Sequence, residues 1–275
     1  YPTAFYGQLG ALKYHGTAPL RIPAQPSIDS DTQKRFDNSD ISRAVIICSR
    51  LGKNDLANRL MAGMIESTTD AEEAAMIAAL GKEMGQTYLS VRGAKKVLQH
   101  HNQVLIKTGY PVPKTPYDAA VERPLVLAIT RQESEFDPYA KSPANAMGMM
   151  QLLPGTAKET AHKNDMAYAL PRLYETDYNW KLGSLYLDRM INNYSGSYIL
   201  AIASYNAGPG NVRKWIKQFG TPGNNIEDAV MWIEKIPFAE TRNYVQRVLE
   251  NLQVYRHILA EREAPKLKLG EDLVR

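Results

Sequence analysis

The 275 residues carry 33 Lys and Arg against 29 Asp and Glu, for a formal net charge of +4 and a pI near 8.9. Hydrophobic residues make up 44%, enough for a sizeable core in one large domain or two ordinary ones. No apolar run approaches the roughly 20 residues of a membrane span, no dense Lys/Arg run marks a nucleic-acid surface, and the single cysteine, Cys48, excludes an intramolecular disulfide and a cysteine-based metal cluster.

The chain opens on Tyr1-Pro2, without a charged start followed by an apolar core, which is the pattern of a mature or truncated chain. Tyr1–Tyr14 reads as a helix that caps a solenoid. Ala18–Ser30, with Pro19, Pro23 and Pro26, reads as extended chain. From Asp40 the sequence reads as helical hairpins. Ile41, Ala44, Val45, Cys48 and Leu51 recur at helical spacing up to Gly52, and Cys48 is expected as a buried, inert thiol. A second helix covers Asp55–Glu66, with Leu56, Leu60, Met61 and Met64 on one face. Thr69 and Glu72 form a capping-box pattern for a helix carrying Ala75, Met76, Ala79 and Leu80 that stops near Gly85. Another helix runs from Thr87 to Ile106. Regularly recurring helix starts suggest stacked pairs, a short α-solenoid. His100 and His101 have no second ligand at metal spacing.

Gly109–Pro116, with three prolines, predicts a stiff linker and the domain boundary. Beyond it, Asp118–Gln132 predicts a helix, kinked or restarted at Pro124, whose apolar residues cover every side as in the central helix of a lobe. Ser142–Leu153 is turn-rich. Helices are expected over Pro154–Ala161, Asp177–Tyr194, Ser197–Asn206 and Asn211–Phe219, and from Glu240 or Thr241 to Glu263. Residues 264–275 read as a frayed, charged tail.

Glu133 closes the apolar stretch that starts at Pro124, and nothing about helix packing asks for a carboxylate there. Desolvation and the negative end of the helix dipole both raise a carboxyl pKa, leaving an acid still protonated near neutral pH. Glu135 points elsewhere on a helix and reads as a solvated charge. Asp137 before Pro138 reads as a turn residue.

The blocks Glu133-Ser134-Glu135-Phe136-Asp137-Pro138, Ser142 through Ala157, Ala203-Ser204-Tyr205-Asn206-Ala207-Gly208 and Ile236-Pro237-Phe238-Ala239-Glu240-Thr241-Arg242-Asn243-Tyr244-Val245 succeed one another over residues 117–257. In order and spacing they resemble the catalytic domain of the soluble lytic transglycosylases, and Tyr1–Leu9 is similar to the helical region preceding that domain in long members. The resemblance implies an all-α chain: a helical solenoid and linker over residues 1–115, then a lysozyme-like catalytic domain over 116–275.

It further implies cleavage of the bond between N-acetylmuramic acid and N-acetylglucosamine in peptidoglycan, without water, to leave 1,6-anhydromuramic acid. Glu133 is the implied acid and then base. Ser142, Gly148, Met150, Gln151, Tyr205, Asn206 and Tyr244 are the implied substrate-binding residues, with no metal or other cofactor. Ser142 reads equally as a turn serine, Met149 and Met150 as core, and Tyr205 and Tyr244 as packed tyrosines; Asn206 is open to closing its helix or bracing the motif. Peptidoglycan strands are the implied partner, nucleic acid is not, and the helical region is open to envelope proteins in a periplasm. A water-using hydrolase of the goose-type lysozyme kind and a non-catalytic glycan-binding scaffold are the alternative readings.

Overall fold

A computed structural model describes residues 1–25, 27–114, 121–260 and 263–275. Regular structure among them is helical, with strand pairing limited to isolated bridges such as Lys141–Met147 and Met147–Leu152. The fold is all-α, as expected. The chain condenses into two units: Tyr1–Arg21 with Lys114–Ser134 and Pro138–Arg275, and Ile22–Pro113 with Glu135–Asp137.

The first helix, α1 (Phe5–His15), corrects the expectation of a solenoid cap. It belongs to the first unit, because the Phe5 backbone N–H donates to the Glu250 carboxylate at 2.7 Å and the Gln8 amide donates to the Glu250 carbonyl at 3.1 Å. Phe5 and Gln8 are both buried.

In the second unit, α2 (Ser30–Asn38) starts where Asp29 accepts from the N–H groups of Asp31 and Thr32, the N-cap geometry that satisfies orphan helix donors. The sequence pattern missed this helix: it is polar, with only Thr32 and Phe36 buried. Next come α3 (Asp40–Arg50) and α4 (Asn54–Ser67), then α5 (Ala71–Glu83) and α6 (Thr87–His101). The connections between partners, 51–53 and 84–86, are short enough to force antiparallel pairs. Asp70, one residue after the predicted cap, accepts from Glu73 N–H and starts α5. Asn102, in the left-handed conformation, ends α6 ahead of the short α7 (Ile106–Gly109).

Ala74, Ala75, Ala78, Ala94 and Val97 pack α5 on α6. A Cβ on Gly81 would lie 2.9 Å from the Ser90 backbone N, so glycine permits the approach there. Val45, Ala57, Met61, Ile65, Ile77 and Leu89 fill the neighbouring core. Ile41, Leu51 and Leu56 lie on the exposed side, contrary to the predicted faces, and Cys48 is half-buried rather than buried.

In the first unit α8 (Arg123–Ser134) takes Pro124 into its first turn, where the missing N–H costs nothing. The predicted start at Asp118 and the linker's end at Pro116 lie outside the described residues. Leu125 through Arg131 are all buried, as a central helix requires. Around α8 stand α9 (Pro154–Lys163), a 3₁₀ turn (Leu170–Tyr174), α10 (Thr176–Asn193), α11 (Tyr198–Ala207), α12 (Pro209–Phe219), α13 (Ile226–Glu234) and α14 (Ala239–Leu259). Thr130 donates to the Val126 carbonyl and accepts from the Trp180 indole at 2.9 Å, and Arg131 donates to the Asn251 carbonyl oxygen on α14 at 3.0 Å, so the Thr130 hydroxyl and the Trp180 indole are paired inside the lobe.

The predicted frayed tail is instead docked. Leu267, Leu269 and Leu273 are buried around α15 (Leu269–Leu273). Asp272 accepts from both terminal nitrogens of Arg256, which also grips Glu122 at the start of α8. Burying each leucine contributes about 1.5–3 kcal/mol, more than enough to overcome fraying of a short charged segment.

Candidate active site

Glu133 lies in the last turn of α8, and its Oε1 accepts from the Tyr244 hydroxyl of α14 at 2.6 Å. The residue keeps partial solvent access, as a group that must reach a substrate has to, while its carboxyl is packed within protein. Burial pushes its pKa up to about 8. The Tyr244 hydrogen bond works against that rise, and the field of Glu240, one turn before Tyr244, works with it. Glu240 stands in the sequence motif without a role; only the fold brings its charge to bear on Glu133. Burial and the field of Glu133 keep the Tyr244 and Tyr205 phenols far above their ordinary pKa, so both remain neutral.

Tyr205 does not donate to Glu133. Its hydroxyl donates to the Met150 carbonyl at 2.9 Å. Asn206 accepts from Thr241 at 2.6 Å, tying the end of α11 to the first turn of α14 and so bracing the helix that carries Tyr244. Asn206 and Tyr244 therefore meet the site through α14, while Tyr205 meets it through the loop 141–152.

That loop is built on a buried residue that carries no motif signal. Asn179 of α10 accepts from Met150 N–H at 2.8 Å and donates to the carbonyls of Met147 and Leu173 at 2.9 and 2.8 Å. Within an apolar helix face, Tyr178-Asn179-Trp180 is the only trace of it in the sequence. Gly148 has φ +77, and a Cβ there would lie 2.1 Å from the Leu173 carbonyl. Glycine at 148 thus permits close contact with Asn179 and Leu173. Met150 is corrected: its side chain is fully buried, with its sulfur where a Cβ on Gly183 would come within 2.4 Å, so it packs the core and presents no face to ligand.

The Gln151 amide donates to the carbonyls of Ala140 and Gly148 at 3.0 and 2.9 Å. Both of its protons are used, which leaves its oxygen as the group able to meet a ligand. Ser142 accepts from Ala146 N–H at 3.0 Å on a partly exposed turn, with its own proton left to donate. Ser134 donates to the Met149 carbonyl at 2.7 Å, fastening the end of α8 to the same loop. Past Ser134, Glu135 and Phe136 have φ +56 and +69, a left-handed pair that costs roughly 1–3 kcal/mol per residue unless held. Glu135 is not the solvated charge expected: within the second unit it pairs with Lys95 at 2.7 Å and Arg92 at 3.3 Å.

The arrangement is a carboxylic acid with its pKa raised to about 8, at the end of a central helix in a lysozyme-like all-α lobe, hydrogen-bonded to a tyrosine and beside an ordered polar loop. Residues 113–227 match the family described as the transglycosylase SLT domain, and residues 235–263 match the soluble lytic transglycosylase helical domain. Over these residues the chain is similar to the soluble lytic transglycosylases. It is 41% identical over 146 residues to the soluble lytic murein transglycosylase of Salmonella typhimurium, covering 52% of this chain and 22% of that protein. Along 98% of its length it is 31% identical to a putative soluble lytic murein transglycosylase of Haemophilus influenzae, of which it covers 45%. It is similar in structure to an inactive mutant of the lytic transglycosylase Slt from Pseudomonas aeruginosa, with a TM-score of 0.82 and 29% identity, covering 96% of this chain and 44% of that one. The chain thus spans less than half the length of these relatives.

Proposed function

We propose that this chain cleaves peptidoglycan as a lytic transglycosylase. The observation that carries the reading is Glu133: a single carboxyl, held protonated to about pH 8 and fixed by Tyr244. Its nearest charged rival by sequence, Glu135, is engaged by Lys95 and Arg92. A glycosidase that uses water places two carboxylates across the bond; among the described residues, Glu133 is the carboxyl that the Tyr244 hydroxyl holds.

In the proposed sequence Glu133 gives its proton to the glycosidic oxygen, and the bond to the muramic acid anomeric carbon breaks. The carboxylate left behind takes the proton of that sugar's 6-hydroxyl, whose oxygen closes on the anomeric carbon. One proton leaves Glu133 and one returns, no water is consumed, and the product is a 1,6-anhydro ring. The nucleophile belongs to the substrate, so the entropic cost of recruiting it is avoided. Tyr244, by donating to the carboxylate, stabilises the state between the two transfers.

Ser142 through its free proton, Gln151 through its amide oxygen and Asn206 through its amide nitrogen are proposed to meet hydroxyl and N-acetyl groups. Tyr205 is proposed to hold the loop against the substrate. A periplasmic site of action fits a cell-wall substrate and the names of relatives, which include a membrane-bound lytic murein transglycosylase of Haemophilus ducreyi. The helical unit is proposed as the place where envelope proteins would dock.

The Glu133→Gln variant tests the assignment. It retains binding to purified glycan strands and loses at least ~100-fold in turnover. Unchanged turnover rejects Glu133 as the acid, and loss of binding along with turnover returns it to a structural role.

A further inference from the structure

Helices α8 and α14 pack against each other, and polar contacts run between them in antiparallel order. Glu122, just ahead of α8, pairs with Arg256 at 2.6 Å. Arg131 donates to the Asn251 Oδ1 at 3.0 Å, and Tyr244 donates to Glu133 at 2.6 Å. All of these residues lie in the first unit. Arg131 is 5% exposed and Asn251 is fully buried, so water does not compete for the bond between them. Around these contacts the two helices bury apolar residues such as Leu125, Ile129, Val245, Val248 and Leu252. Apolar burial is non-directional and tolerates a small slide or roll of one helix on another, whereas a hydrogen bond does not. Asn251 also carries a cost: its Nδ2 is buried without a hydrogen-bond partner among the described residues. A core amide with an idle donor is less stabilising than an apolar side chain of the same shape, so stability alone does not account for an amide there.

We propose that Arg131 and Asn251 are positioning residues for the reaction, setting the roll and register of α8 on α14 so that Glu133 meets the Tyr244 hydroxyl. The inference rests on the reading of Glu133 as the acid. Arg131 and Glu133, on either side of Gln132, leave α8 about 200° apart around its axis. Both nonetheless reach α14, one from each flank. A roll of α8 that relaxes one contact therefore stretches the other. On α14 the two partners, Tyr244 and Asn251, stand about two turns apart, so a tilt between the helices is resisted as well. The field of Glu250, beside Asn251, bears on Arg131 and offsets its charge inside the lobe. Displacement of the Glu133 carboxyl by on the order of 1 Å is enough to slow proton transfer heavily. Arg131 and Asn251 act through the contact between Tyr244 and Glu133.

The test uses the whole chain, with purified glycan strands as substrate. It measures kcat, KM, the pH profile and urea unfolding for Arg131→Lys, Asn251→Gln, Tyr244→Phe and Arg131→Lys/Tyr244→Phe, alongside Glu133→Gln. Arg131→Lys keeps the charge near Glu250 but loses the planar fork that meets Asn251. Asn251→Gln keeps the amide and moves its oxygen outward by a methylene. The expected result for each is a kcat about tenfold lower per folded molecule, with KM changed less than about twofold. Glu240 and Tyr244 on α14 and Tyr205 on α11 are the titratable groups that bear on Glu133. The Tyr244 bond lowers its pKa while burial and Glu240 raise it, so loosening that bond moves the alkaline limb to higher pH in both variants, as in Tyr244→Phe. In the Tyr244→Phe background Arg131→Lys costs less than about a further twofold, because the contact it serves is already gone. Parental kcat and an unmoved limb in both single variants overturn the inference. So does a loss that multiplies in full with that of Tyr244→Phe, and so does a loss that follows the unfolded fraction while the limb stays fixed, the outcome of a purely structural role. Should Glu133→Gln turn over normally, the reading of the acid fails instead; an inactive Glu133→Gln beside parental Arg131→Lys and Asn251→Gln removes only the positioning role.

Discussion

A carboxyl with its pKa raised to about 8 is stored in its acid form, and this has consequences at the residue scale that reach beyond turnover. The folded state binds the Glu133 proton more tightly than the unfolded chain does. The stability that this proton brings is complete below the ordinary carboxyl pKa and is lost as pH rises through about 8. Glu133→Gln is therefore expected to unfold at higher denaturant concentration than the parent at pH 9, by on the order of 1–3 kcal/mol, and to match it near pH 4, as read by urea titration at both values. Turnover by the parent should fall on the alkaline side as pH passes about 8, because the proton donor is lost. The Tyr244 hydrogen bond lowers this pKa, so Tyr244→Phe should move the alkaline limb to higher pH and reduce kcat by roughly tenfold. A limb that moves to lower pH, or stays fixed, contradicts the assigned donor direction.

At the scale of elements, the loop 141–152 depends on α10 through one side chain. Asn179→Ala removes three buried hydrogen bonds at once and leaves the Met147 and Leu173 carbonyls without that donor. A loss of about 2–4 kcal/mol in urea unfolding is expected, together with loss of activity; a change below about 0.5 kcal/mol would show that the loop is held by other means. The sequence displayed some of this and hid the rest. α8, α10, α11 and α14 were legible because each buries apolar residues at helical spacing around a lobe core, and Glu133 stood out as a carboxylate where packing wanted none. The role of Asn179 was hidden, since a buried amide inside Tyr178-Asn179-Trp180 has no periodic signature. Met150 read as a ligand contact because motif position says nothing about which way a residue faces; packing against Gly183 turned its side chain inward. α2 escaped because its polar residues leave only Thr32 and Phe36 to mark a buried face.

At the scale of the molecule, the ends of the chain both join the first unit, which composition and charge did not suggest. The last residues look solvated by their charges, yet Asp272 is spent on Arg256 and three leucines are buried beside it. Tyr1–Arg21 likewise bring a helix whose first N–H groups include the partner of Glu250. Burial raises the Glu250 pKa even with Arg247 beside it, so removing the Phe5 N–H leaves a buried carboxylate short of a donor. Deletion of residues 1–21 is expected to lower the melting temperature of the first unit, and deletion of 264–275 to cost several kcal/mol from the lost leucine burial alone. A melting transition unmoved by either deletion would contradict the docking described for that end.

In the proposed reaction one acid, with no water, closes the muramic acid ring. Mass spectrometry of the unreduced sugars released from purified peptidoglycan reads this directly. Reducing ends lighter than the hydrolysed sugar by one water, about 18 mass units, are expected. Release of ordinary hydrated reducing ends by the parent chain would contradict it, and would make the enzyme a hydrolase on the same scaffold.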